Sequence, residues 1–132
     1  METLRDRVES IMALPVRVLN EHEREWVEAL RSRRFEQGKN FLNLGGKFCC
    51  LGVACVLAGV EGVEVEGGKV VYGGFIASLS RSVCEWLGIP LDNVSGMMEG
   101  VEGGMINLAE LNDAGFTFGE IADVIERAQW MG

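Results

Sequence analysis

One histidine, two prolines and three lysines are all that the 132 residues contain of those types. The single imidazole, His22, leaves one candidate base for any cysteine or serine nucleophile, so a nucleophile–histidine pair has little to draw on. Long apolar runs are missing too. The longest, Phe48 to Val60, covers 13 residues, against the roughly 20 that a membrane-spanning helix needs. Near Met1 the first apolar run, Ile11 to Leu14, is too short for a secretory signal and is broken by Pro15 and Arg17. These absences predict a soluble intracellular chain, where thiols stay reduced. A chain of this length forms one domain, 1–132, and buries a core without disulfides or metal to hold it.

Positive charge is scarce and unevenly placed. Residues 1–47 carry nine Lys and Arg against eight Asp and Glu, residues 48–132 three against twelve, and the net charge is −8. Such an acidic surface repels phosphate backbones and attracts basic protein surfaces, so direct nucleic-acid binding is disfavoured. Arg31, Arg33 and Arg34 form the one local basic cluster.

What is present reads as short elements punctuated by clear signals. Thr3 to Leu14 has helical periodicity, with Leu4, Val8, Ile11 and Met12 on one stripe and Pro15 as the stop. Asn20 with Glu23 three positions on is a capping box for a second helix, whose apolar face is Trp26, Val27 and Leu30. Its arginines, Arg31, Arg33 and Arg34, suit the negative pole of that helix. Asn40 to Phe48 reads as a hairpin around Gly45-Gly46. Cys50 to Ala58 is expected to be a buried helix ended by Gly59, although an apolar run this short also fits a buried strand.

Val63 to Tyr72 is a second hairpin, around Gly67-Gly68, with Val63 and Val65 on one face and Glu64 and Glu66 on a wet, acidic one. Ser80 to Leu87 is a short helix closed by Gly88, with Pro90 beyond. The glycine-rich stretch Met97 to Met105 is either a third hairpin or a loop. Capping signals at Asn107/Glu110 and Thr117/Glu120 open a short helix and a final one through about Trp130, with Phe118, Ile121, Val124, Ile125 and Ala128 as its buried stripe. The expected fold is a single compact α+β domain of about five helices with small antiparallel hairpins.

The chemistry-bearing residues point mostly to packing. Cys49, Cys50 and Cys55 crowd into seven positions, but the spacing lacks the paired C-x-x-C ligands of structural zinc. A thiol near a helix N-terminus is open to activation, yet apolar neighbours make it inert. Small buried cysteines beside Gly52, Ala54 and Ala58 let a helix pack closely. No G-x-S-x-G elbow, phosphate-binding G-x-x-x-x-G-K loop or H-E-x-x-H occurs. Acidic pairs such as Glu64/Glu66 or Asp113/Asp123 arise by chance among twenty carboxylates. The expectation is a protein that is not an enzyme, with no catalytic, metal or cofactor residues. Two surfaces are candidates for a partner, the basic end Arg31, Arg33 and Arg34, and the acidic hairpin Glu61, Glu64 and Glu66. Met97, Met98 and Met105 would add an adaptable apolar contact, and Trp130 with Met131 another.

Four ordered segments carry a family likeness: W-V-E-A-L-R-S at 26–32, Q-G at 37–38, C-C-L-G-V-A-C at 49–55 and L-N-D-A-G-F-T-F-G-E-I-A-D-V-I-E at 111–126. Together they resemble a group of small proteins encoded by tailed bacteriophages. The arginine-rich composition also resembles small transcription inhibitors from phages of thermophilic hosts. The resemblance implies a factor in the cytoplasm of a host bacterium that binds a host protein, RNA polymerase in its core or σ-containing form first among them. The alternative is a homo-oligomeric phage structural or replication accessory protein. No catalytic residue comes with the resemblance.

Overall fold

The computed structural model describes residues 2–100 and 104–132. Its helices begin where short polar side chains capture otherwise unpaired backbone amides. Thr3 and Asp6 form a reciprocal capping box for α1, Leu4–Met12, which buries Val8 and Ile11. Asn20 and Glu23 do the same for α2, Glu21–Arg31, which buries Trp26, Val27, Ala29 and Leu30. Thr117 and Glu120 open α6, Phe118–Arg127, whose buried residues are Phe118, Ile121, Ala122, Val124 and Ile125. Each such cap stabilises its helix by about 1 kcal/mol, and the apolar stripes supply the rest through packing.

The cysteine segment is a helix, α3, Cys50–Leu57, and it is the most enclosed one. Cys50, Leu51, Val53, Ala54 and Cys55 are wholly buried, as expected of a helix that is apolar on every side. Ala58 closes it and Gly59 takes the left-handed conformation at φ 76°, as the sequence predicts. Trp26 Nε1 donates to the Cys50 carbonyl at 2.9 Å, locking α2 onto the start of α3. Gly52 is where the chain approaches most closely: a Cβ there would lie 1.8 Å from the Leu42 carbonyl oxygen.

Two further helices, α4, Arg81–Leu87, and α5, Leu108–Asp113, bring the described total to six. Gly88 terminates α4 in the left-handed conformation, as expected, and Asn107 caps α5 by accepting from the Glu110 amide. Among the described residues no helix is long and apolar enough to cross a membrane.

Three small sheets complete the α+β domain. In the first, β2, Asn43–Leu44, and β3, Lys47–Phe48, form the expected antiparallel hairpin about Gly45-Gly46. An unexpected strand, β1, Glu36–Gln37, pairs with β3 in parallel. The second is the hairpin of β4, Gly62–Glu64, and β5, Val70–Tyr72. The third has the order β7-β6-β8, from Met105–Asn107, Met97–Glu99 and Gln129–Trp130. The glycine-rich stretch is therefore a hairpin, and the part of it at 101–103 lies outside the described residues. The final helix stops at Arg127 rather than near Trp130. Ala128 turns extended, and Gln129 and Trp130 pair with Glu99 and Met98 of β6.

A buried polar knot holds this turn in place. The Trp130 indole donates to Glu23 Oε2 at 2.7 Å, Arg17 Nη2 donates to the same oxygen at 2.7 Å, and the Asn20 amide reaches Glu23 Oε1 at 2.9 Å. Burial works to raise the Glu23 pKa, but the hydrogen bonds from Arg17, Asn20 and Trp130 together with the Arg17 charge outweigh it, and the carboxyl titrates below its ordinary 4.5.

A folded-state pKa below the unfolded one contributes stability that is present above the unfolded value and lost as pH falls through the folded value. Unfolding free energy should therefore drop as pH is lowered below about 4.5, and denaturant titration of Glu23→Gln should show a flatter acid limb than the parent. Independently, Gly52→Ala should cost about 3 kcal/mol or more, since the new methyl meets backbone that cannot swing aside. A denaturation midpoint within error of the parent would refute that close approach.

Candidate partner-binding surfaces

The segments 26–32, 37–38, 49–55 and 111–126 meet in the interior. Asn112, fully buried on α5, accepts from the Cys50 amide at 3.0 Å and from Gln37 Nε2 at 3.1 Å, and donates to the Gly38 carbonyl at 2.7 Å. Gln37 in turn donates to the Phe116 carbonyl at 2.8 Å and accepts from the Phe118 amide at 3.1 Å. Two side-chain amides thus tie β1, the start of α3, the end of α5 and the start of α6. Every one of these bonds serves a backbone group or the other amide, which makes the cluster architectural.

The thiols are placed as core. Cys49, Cys50, Cys55 and Cys84 are all free and buried. Burial pushes Cys49 up to about 11 and Cys55 up to about 12, and raises Cys50 well above the ordinary value. At neutral pH they are neutral thiols and poor nucleophiles. His22 stacks on Trp86 with ring centroids 4.2 Å apart, and its Nδ1 faces the Trp86 carbonyl. Among the described residues no group of three or more His, Cys, Asp and Glu side chains is arranged to hold a metal ion. Of the acidic pairs, Asp113 accepts the Asn40 amide and Asp123 takes Arg31.

The three arginines divide between two jobs. Arg31 Nη2 sits 2.5 Å from both Asp123 Oδ1 and Glu126 Oε1, bridging α2 to α6. Its pKa is raised, first by the Glu126 hydrogen bond, while desolvation acts the other way. Arg33 and Arg34 follow the helix end. Arg33 adopts φ 64°, and the Arg34 guanidinium lies 5.1 Å from the Phe35 ring centroid. With Phe35, Gln37 and Phe118 they line an open groove of about 730 Å³. The cluster is thus one interhelical clamp and two surface cations, where the sequence suggested a single patch.

The acidic hairpin is more open than its alternation implies. All residues from 61 to 67 are exposed, including Glu61, Glu64 and Glu66. Val63 and Val65, on the face opposite Glu64 and Glu66, are 57% and 43% exposed, so neither face of β4 is covered. Nearby, Leu44 and Phe75 are also exposed. Strict alternation predicts a half-buried strand, but β4 is the outermost strand of a two-stranded ribbon and packs chiefly on β5. No local signal in the sequence distinguishes that position from a covered one.

The expected methionine surface shrinks to one residue. Met98 is fully buried and Met97 partly so, leaving Met105 at 50% exposure. Trp130 is half-buried against the core, its ring stacked on Trp26 with centroids 6.2 Å apart.

Residues 19–129 match the model of the family described as Domain of unknown function (DUF8296), and the chain belongs to that family. The matched span contains all four likeness segments and both candidate surfaces, and it excludes α1. No curated protein and no solved structure matches the chain.

The burial of the thiols has a direct test. In the native protein, alkylation of Cys49, Cys50 and Cys55 should be limited by unfolding, so that labelling rates rise with denaturant as the unfolded fraction does. Rapid stoichiometric labelling of any of the three without denaturant would contradict their placement in the core.

Proposed function

We propose that the chain is a non-enzymatic phage factor that binds host RNA polymerase and inhibits or redirects host transcription. The observation that carries this reading is the exposed acidic hairpin, where Glu61, Glu64 and Glu66 stand beside uncovered Val63 and Val65 on a chain of net charge −8. Carboxylates in such a setting steer a protein toward basic surfaces, while the valines supply the apolar contact that charge alone lacks. Host polymerase offers basic surfaces of that kind. The phage likeness of the four segments supplies the biological setting, and the dedication of Gln37, Asn112 and the cysteines to packing leaves the surface as the place where function resides.

The purified protein should co-elute with polymerase of its host on a sizing column, tested with the core and σ-containing forms separately. Reversing the three charges, Glu61→Lys, Glu64→Lys and Glu66→Lys together, should weaken retention by about tenfold or more and leave the fold unchanged by circular dichroism. Added salt should weaken retention as well. Failure to co-elute at concentrations well above micromolar would overturn the reading in favour of a homo-oligomeric accessory role.

A further inference from the structure

β4 has a second side. Val65 donates its amide to the Lys69 carbonyl at 2.8 Å, and the strand register pairs Val63 with Val71 and Glu64 with Val70. In an antiparallel ladder, residues alternate between pairs that exchange both backbone bonds and pairs that exchange none. Val65 and Val63 therefore bond inward to β5, and the N–H and C=O groups of Gly62 and Glu64 point away from it. On that side no strand is paired with β4 in the described residues.

Edge strands are usually shielded by shortness, charged side chains, proline, a bulge or a covering loop. Strand β4 has the first two, being three residues long with Glu64 in it and Glu61 and Glu66 beside it. Lysine, proline and a bulge are absent between Gly62 and Val65, so its protection is negative charge, which repels acidic strands and attracts basic ones. The hairpin's own lysine, Lys69, is drawn over the Phe41 ring, 4.7 Å from its centroid. What remains is an open rung of hydrogen-bonding groups, with valine on one face and glutamate on the other.

We infer that this edge accepts an extended segment of a partner as an added strand, and that the segment alternates basic with β-branched apolar residues. A strand laid along Gly62–Glu64 would receive the outward amides and carbonyls, place its apolar residues beside Val63 and Val65, and set its cations beside Glu64 and Glu66. Charge also selects against a second copy of this chain. Pairing β4 with its own copy would crowd Glu61, Glu64 and Glu66 of both molecules along one short ribbon, and such like-charge crowding is destabilising. The inference names how the proposed partner is gripped and rests on that proposal only for the partner's identity.

The probe is a blocked peptide of alternating Lys and Val, with the same composition in block order as control. Amide hydrogen exchange reads the contact directly. In the free protein Gly62 and Glu64 should exchange fast, and the alternating peptide should slow them more than the block-order one. Glu64→Pro removes one outward amide without touching the bonds to β5, and proline is tolerated at such a position. It should weaken peptide binding by about tenfold, the loss of one hydrogen bond, and more than Glu64→Gln does. Peptide binding that leaves both amides unprotected, or no binding at all, would overturn the inference. So would a dimer in sedimentation that Glu64→Pro abolishes, because it would assign the edge to a second copy. If polymerase is retained equally by the parent and by Glu64→Pro, the strand-addition mode fails while the functional reading stands. If the peptide protects both amides yet polymerase is not retained, the functional reading fails and the edge assignment stands.

Discussion

The buried amide of Asn112, together with Gln37 bonded to it, fixes the relation among β1, α3, α5 and α6. It lies where water cannot substitute, and each donor or acceptor left unmet there costs about 1–3 kcal/mol. Its three partners belong to β1 and the start of α3, so satisfying one side chain sets how α5 meets both. Gln37 extends the constraint to α6 through Phe116 and Phe118. The parallel pairing of β1 with β3 follows naturally, since Gly38, held by Asn112, also donates its own amide to the Phe48 carbonyl at 2.7 Å. With that corner set, α3 can press Gly52 against Leu42 and α2 can dock Trp26 on the Cys50 carbonyl.

Features that depend on neighbours a few residues away were legible in the sequence. The boxes at Asn20/Glu23 and Thr117/Glu120 are local geometry, three positions apart, and both formed. The stops at Gly59 and Gly88 are equally local. The apolar cysteine helix could be read because burial on all sides leaves only small and apolar residues. Features that depend on distant partners could not be read. Asn112 and Gln37 look like surface residues by type, for polar side chains are mostly exposed, and only the tertiary fold reveals their shared burial. Arg31 reads as a cation at a helix pole until α6 brings Asp123 and Glu126 to it. Trp130 continues a helical pattern, but pairing with β6 and the hydrogen bond to Glu23 draw it into a strand.

The candidate surfaces divide along the same line. That Glu61, Glu64 and Glu66 are exposed follows from their charge and from the hairpin. That Val63 and Val65 are exposed with them does not, because it depends on what fails to pack over the ribbon. The molecule is accordingly two-sided in character. Around Glu23 and Asn112 the buried polar groups are spent on partners inside the fold, whereas β4 leaves both faces and one edge unspent. Binding at such a ribbon would order few residues that are not already held by β5, which keeps the entropic cost of association low.

The pairing of early with late elements bears on how the chain acquires its structure. Glu23 and Trp130 are 107 positions apart, and Arg31 and Asp123 are 92 apart, yet both contacts close the same interface between α2 and the end of the chain. A long loop must be closed before that interface returns any packing energy. Proteins rich in helices usually fold fast because their contacts are local. Here the helices are short and the decisive contacts are remote, so the barrier is set by topology, and refolding should run at the slower pace typical of sheet proteins despite the six helices.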